Sequence, residues 1–210
     1  ASRPPFHHAS NIEPNGFCFF NIPSVIAKYI RSNTQQNVLV FDWDIHAGQG
    51  TGACLNGLEG IYFVTMHRWD DGNFFPGSYP YVKQNNITHV ELSNNEATVD
   101  GFNSEITIKL ENFKRGLYDV HYNQIFDSFI LPSLVTKDIK YIIISAGFDA
   151  MKNDKLGGYN LGLEFYQSTI GKFLNLDSKP QIILLLEGGY NCENIANGFS
   201  ACTQVLLKSI

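Results

Sequence analysis

The chain has 210 residues, 44% hydrophobic and 17% charged, the proportions of a globular chain that buries one core. Its formal net charge of -5 argues against a broad basic surface, and so against direct nucleic-acid binding. No apolar run reaches bilayer-spanning length, so no membrane segment is expected, and no signal peptide stands at Ala1-Ser2-Arg3, a start that need not be a natural N-terminus.

Arg3-Pro-Pro-Phe-His7-His8-Ala9 opens the chain, and its prolines forbid regular helix. His7 and His8 therefore sit on a loop, either as a proton-transfer couple or as a chance surface pair. Gly16-Phe17-Cys18-Phe19-Phe20-Asn21 follows, an aromatic cluster whose Phe17, Phe19 and Phe20 read as core. Residues 22–30 carry apolar side chains at helical spacing and close on Lys and Arg, which predicts a helix.

The apolar run from Val38 to Phe41 predicts a buried strand. It leads into Asp42-Trp-Asp44-Ile-His46-Ala47-Gly48-Gln49-Gly50-Thr51. Side chains two apart in a strand share a face, so the strand end should aim Asp42, Asp44 and His46 the same way. Two carboxylates and an imidazole make a nitrogen–oxygen donor set suited to zinc and related divalent ions. A helix-capping Asp and a structural His fit the same stretch.

A second strand is expected from Gly60 to His67. It runs into a turn-rich loop whose adjacent Phe74 and Phe75 make a candidate pocket wall. Residues 78–100 are polar and Asn-rich, with a short strand expected over 88–92. Residues 122–134 read as an amphipathic helix that Pro132 kinks or ends. A further buried strand begins at Lys140 and ends in Asp149. After a loop at 154–158 and a helix over 163–176, the strand Gln181 to Leu186 runs into Glu187-Gly188-Gly189-Tyr190, a Gly-Gly hinge that presents a Tyr. Residues 193–208 form the closing helix. No internal repeat or linker divides the chain, so residues 1–210 are read as a single domain. Cys18, Cys54, Cys192 and Cys202 form no Cys-x-x-Cys pair and read as reduced, buried thiols of an intracellular protein.

Continuous apolar strands separated by helices predict an α/β fold, a three-layer open parallel sheet with helices on both faces. Ligands in such sheets bind beyond the carboxyl ends of the strands. Asp42, Asp44, His46, His67, Asp149 and Tyr190 all fall there. Asp44, His46 and Asp149 can then give three protein ligands and leave one position open, as a catalytic zinc needs. The metal activates water and polarises a carbonyl, a nearby His moves the proton, and Tyr190 can hydrogen-bond the developing oxyanion. Together these parts describe metal-assisted hydrolysis of an amide.

Seven motifs, in order along the chain, resemble the zinc-dependent histone deacetylase family: Arg-Pro-Pro-x-His-His-Ala, Gly-Phe-Cys-x-Phe-Asn, Asp-Trp-Asp-x-His, His-Arg-x-Asp-Asp-Gly-x-Phe-Phe-Pro-Gly, Ser-Ala-Gly-Phe-Asp-Ala, Leu-Gly-Gly and Leu-Glu-Gly-Gly-Tyr. The Gly-Phe-Asp-Ala and Glu-Gly-Gly-Tyr forms are similar to its class II branch. The resemblance implies an arginase/deacetylase-type fold and removal of acetyl groups from acetyl-lysine in histones or other proteins. Its cofactor would be Zn2+, with a structural K+ also implied. Carried over by position, Asp44, His46 and Asp149 are the zinc ligands. His8 is the general base and acid, His7 its electrostatic partner oriented by Asp42, and Tyr190 polarises the carbonyl. Gly16, Phe17 and Phe75 match the acyl-lysine channel, and Asp42, Thr65 and Met66 match positions around the K+. An acetylated protein partner, a corepressor complex, and a place in the nucleus or cytoplasm follow from the same resemblance.

The chain also departs from the family pattern. Ala47 stands for a second His, Gln49 for an Asn or Asp that orients the His8-type residue, and Phe6 for a Gly. The segment 79–85 replaces a glycine-rich one. By family standards the N-terminal part of the domain is missing, which implies poor stability in isolation. These departures keep open a catalytically impaired binding or regulatory module. An acetylpolyamine amidohydrolase remains a further alternative. An arginase-like two-manganese site is disfavoured, since it wants Asp-x-His-x-Asp and position 48 is Gly.

Overall fold

Strand β1 (Asn37–Asp42) is apolar on both faces, and both faces are covered. Leu39 and Phe41 enter one core while Val38 and Val40 enter the other, as the two-residue period of a strand requires. This division recurs across a computed structural model that describes residues 5–77, 86–93, 96–101, 104–109 and 116–208. Arg3, Pro4 and the segment 79–85 lie outside the described residues.

The elements in order are α1 (Ile22–Thr34), β1, α2 (Gln49–Leu55), β2 (Ile61–Arg68), β3 (Ile87–Leu92), β4 (Glu96–Gly101), β5 (Ser104–Lys109), α3 (Asp119–Ile125), α4 (Leu131–Val135), β6 (Ile139–Ala146), α5 (Glu164–Leu174), β7 (Gln181–Leu186) and α6 (Cys192–Leu207). The strands form one sheet in the order β5-β4-β3-β2-β1-β6-β7. Neighbours from β3 to β7 run parallel, while β4 and β5 pair antiparallel. Residues of α1 and α2 pack with Val38, Val40 and Phe63 on one face. The larger core on the other face takes in Phe41, Trp43, Tyr122, Phe126, Phe165, Tyr166 and Phe173. Each such side chain, fully buried, stabilises the fold by roughly 1.5–3 kcal/mol.

The open, doubly covered α/β sheet is as expected, with two antiparallel strands added at one edge. In β4 only Ala97 and Val99 alternate inward, so two apolar residues carry the whole strand signal. The helix expected over 122–134 starts at Asp119 and stays helical to Val135. A π turn over Phe126–Ile130 precedes Pro132, which sits in the first turn of α4, where a missing N–H costs little. Helix α1 runs beyond residue 30 because its last turn is polar and solvent-facing, so the apolar period stops before the helix does.

Two expectations of burial fail. Phe17, Phe19 and Phe20 are 72%, 66% and 74% exposed, so they are not core. Asn15 and Cys18 exchange backbone hydrogen bonds across a tight turn with Gly16 (φ 50) and Phe17 (φ 67) at its centre. That turn points Cys18 inward and leaves its aromatic neighbours outside. Cys192 is also exposed, as the first residue of α6 after its Asn191 cap, while the other three thiols are buried and free.

A candidate metal and catalytic centre

Strand β1 stops at Asp42, and the chain bends through Asp44 to His46 instead of continuing as strand. The carboxylates themselves turn it. Asp42 Oδ1 accepts the Asp44 N–H (3.1 Å), and Asp44 Oδ1 accepts the His46 N–H (2.9 Å). The alternating strand positions expected for these residues are therefore replaced by two successive side-chain-closed turns. Asp149, three residues past the end of β6, reaches across to accept the Ile45 N–H at 2.9 Å. Asp44 Oδ2 accepts the Gly188 N–H from beyond β7 at 2.7 Å.

These bonds bring Asp44, His46 and Asp149 together, with one donor atom from each lying within 4.8 Å of the others. His46 Nδ1 is 3.0 Å from Asp44 Oδ1 and 3.1 Å from Asp149 Oδ2. Both carboxylates are fully buried. Burial lowers the proton affinity of the His46 imidazole, but hydrogen bonds to Asp149 and Asp44 outweigh it and push its pKa up to about 10. Burial, then the facing Asp44, push the Asp149 carboxyl up to about 6. Two buried carboxylates facing one imidazole form a cage that favours positive charge, which a divalent ion can supply. The donor set fits zinc, with Asp44, His46 and Asp149 as the residues that could hold it.

The His loop packs against this cage. Glu187 Oε2 accepts the N–H groups of Phe6 (2.6 Å) and His7 (3.2 Å), and the Thr51 N–H donates to the His7 carbonyl (3.0 Å). His7 Nδ1 lies 2.9 Å from Asp42 Oδ2, the contact expected of that pair. His8 Nδ1 lies 2.7 Å from Gln49 Oε1, so Gln49 does reach the ring it faces. The two imidazoles are 3.9 Å apart and are driven in opposite directions. Burial pulls His7 down, yet Asp42, Asp44 and Glu187 raise it well above the ordinary histidine value. Burial, then the charge on His7, hold His8 well below it. The neighbouring charges thus separate the two rings in proton affinity, His7 upward and His8 downward.

A cavity of about 450 Å³ opens onto these groups, lined by His8, Gly16, Phe17, His46, Phe74, Phe75, Leu156 and Tyr190. Gly16, Phe17, Phe75 and Tyr190 thus line one cavity. Phe17 does so in a left-handed conformation that non-glycine residues rarely adopt. Phe74 stacks on His46 with ring centroids 5.0 Å apart and planes 13° from parallel. It was visible only as half of a Phe pair. Leu156, an unremarked loop leucine, carried no signal. Glu187 stood at a buried strand end like Asp42, and that same signal could have found it. His67 does not join the cavity. Strand β2 extends through Arg68, which keeps His67 inside the sheet, with Thr65 Oγ1 3.2 Å from its Nδ1. Asp42 and Thr65 are register partners on β1 and β2, and Met66 follows, all three buried.

The family model of the histone deacetylase domain matches residues 1–206. The chain is 34% identical over 205 residues to "Histone deacetylase 6" of Caenorhabditis elegans, covering 97% of this chain and 20% of that protein. It is 34% identical over 212 residues to "Histone deacetylase 18" of Arabidopsis thaliana, covering 98% of this chain and 29% of that protein. It is 32% identical over 209 residues to "Histone deacetylase 9" of Homo sapiens, covering 98% of this chain and 19% of that protein. The chain therefore spans less than a third of each of these relatives. Among solved structures, the HDA15 HD domain superposes with a TM-score of 0.83 at 28% identity, over 99% of this chain and 55% of that one. The histone deacetylase Clr3 superposes with a TM-score of 0.74 at 26% identity, over 98% of this chain and 32% of that one.

Proposed function

The chain belongs to the histone deacetylase family, and from that premise we propose that its site hydrolyses the acetyl-lysine amide of acetylated proteins with zinc as cofactor. The observation that carries this reading is the meeting of Asp44, His46 and Asp149, with His46 also lining an aromatic-walled cavity that holds His8 and Tyr190. Zinc held by those three residues would supply Lewis acidity toward the acetyl carbonyl and an activated water.

The chain's own residues do the rest. The acyl-lysine side chain enters between Phe17 and Phe75, whose apolar faces exclude water from its methylenes. Gln49 Oε1 accepts from His8 Nδ1, which leaves His8 Nε2 as the free base. His8 takes the proton of the attacking water there and returns it to the departing lysine amine. His7, anchored on Asp42, lowers the proton affinity of His8 beside it. Tyr190, its ring 6.4 Å from that of His46 and nearly perpendicular to it, would hydrogen-bond the oxyanion. Asp42, Thr65 and Met66 are proposed as positions that would surround a structural K+.

The Gln49–His8 contact counts against the reading as an impaired module, because the base is oriented. The test is acetate release from an acetyl-lysine peptide and from an acetylated polyamine, with zinc measured on the same sample. Turnover of the peptide is expected. D149A should lose both zinc and turnover. Y190F should keep zinc and lose roughly 100- to 1000-fold in kcat, the scale of one missing oxyanion donor. Preference for the polyamine would overturn the protein-substrate reading, and bound zinc without turnover would support a binding module.

A further inference from the structure

Tyr190 follows two glycines, and Gly189 has φ 135, a conformation with no side-chain restraint. Tyr190 itself is only half-buried. A phenol that must meet a developing charge to within a few tenths of an ångström needs some other restraint on its backbone. The Tyr190 N–H donates to Asp154 Oδ2 at 2.7 Å. The other oxygen, Asp154 Oδ1, accepts the N–H groups of Leu156 (2.9 Å) and Gly157 (3.1 Å). One carboxylate thus joins the turn that carries Leu156 to the hinge that carries Tyr190, and both side chains line the cavity. Flanking bonds run the same way. Asn194 Nδ2 donates to the Lys152 carbonyl (3.0 Å), and Asn191 Nδ2 to the Asn153 carbonyl (3.4 Å). On the far side of the turn, the Gly157 carbonyl accepts from Arg68 Nη1 at 2.9 Å. Arg68 is itself paired with Asp70, and its guanidinium sits 4.5 Å from the Phe74 ring centroid.

We infer that Asp154 is a positioning residue for Tyr190, holding the hinge backbone so that the phenol faces the reacting carbonyl. The inference rests on the role given to Tyr190 above. Asp154 touches no substrate and acts only through the hinge, with Arg68 fixing the opposite side of the same turn. Carboxylate is the group this position needs, because the two oxygens serve two different segments. An Asn has one acceptor oxygen and cannot hold both.

The experiment is a double-mutant cycle on the zinc-loaded protein, pairing D154A with Y190F, with kcat, KM, zinc content and amide exchange at Tyr190 measured for each. D154A is expected to lower kcat about tenfold, with KM and zinc content unchanged and faster exchange at the Tyr190 amide. In the Y190F background the same substitution should change kcat by less than about twofold, since the group it positions is gone. D154N should fall between wild type and D154A, and it replaces D154A in the cycle if that variant fails to fold. An equal loss in both backgrounds, or unchanged amide exchange, would overturn the inference. If Y190F alone left kcat unchanged, the function assigned to Tyr190 would fail instead.

Discussion

Asp44 and Asp149 are fully buried, face each other, and carry like charge, an arrangement that costs several kcal/mol per ion unless it is compensated. Compensation comes from the His46 ring between them, the Ile45 N–H on Asp149, and the Gly188 and His46 N–H groups on Asp44. Gly188 also leaves the space they occupy, since a methyl group there would fall against Asp149 Oδ2 and Asp44 Oδ2. Gly188→Ala is therefore expected to lower zinc affinity by about 10- to 100-fold, the range for a disturbed outer shell, with helical content retained. Competition against a chromophoric chelator measures it, and unchanged affinity would contradict the role given to this glycine. Asp42, Asp44, His46 and Asp149 could be picked out in the sequence because a charged residue after an apolar run is conspicuous. Phe74 was legible as part of a pocket wall but its stacking on His46 was not, and Glu187 carried the same strand-end signal without showing that it would hold the His loop, because both contacts join parts of the chain far apart in sequence.

At the scale of elements, the start of α1 does more than begin a helix. Asn21 Oδ1 caps it by accepting the Ser24 N–H at 3.0 Å. Its Nδ2 donates to the Ala9 carbonyl at 2.8 Å and to Thr51 Oγ1 at 3.1 Å, which ties the helix to the His loop and to α2. Asn21→Ala removes the cap and strands those two acceptors, so it should cost about 2 kcal/mol of unfolding free energy. Denaturant unfolding reads this, and a loss below about 0.5 kcal/mol would show that the three elements hold without it. The parallel strands were readable because they are apolar on both faces, as Gln181 to Leu186 is. Strand β4 was not, since Glu96, Thr98 and Asp100 dilute its two apolar residues. The turn at Gly16 and Phe17 was also missed, because a left-handed Phe gives no sign of itself in composition.

Across the whole molecule, the parallel order β2-β1-β6-β7 brings the tips of β1, β6 and β7 side by side. Residues 44, 149 and 188 are far apart in the chain, yet they meet because each follows a neighbouring strand over the same edge. The doubly covered sheet and its site at the carboxyl ends could be anticipated from the spacing of the strands. The spatial closeness of the donors, and the cavity in front of them, depend on register that no local pattern encodes. No helix among the described residues is long and apolar enough to cross a membrane. The most direct measurement is anomalous diffraction at the zinc edge from crystals of the zinc-loaded protein. A single peak is expected within about 2.0–2.2 Å of one donor atom each of Asp44, His46 and Asp149. No peak among those three residues, or zinc bound elsewhere, would contradict it.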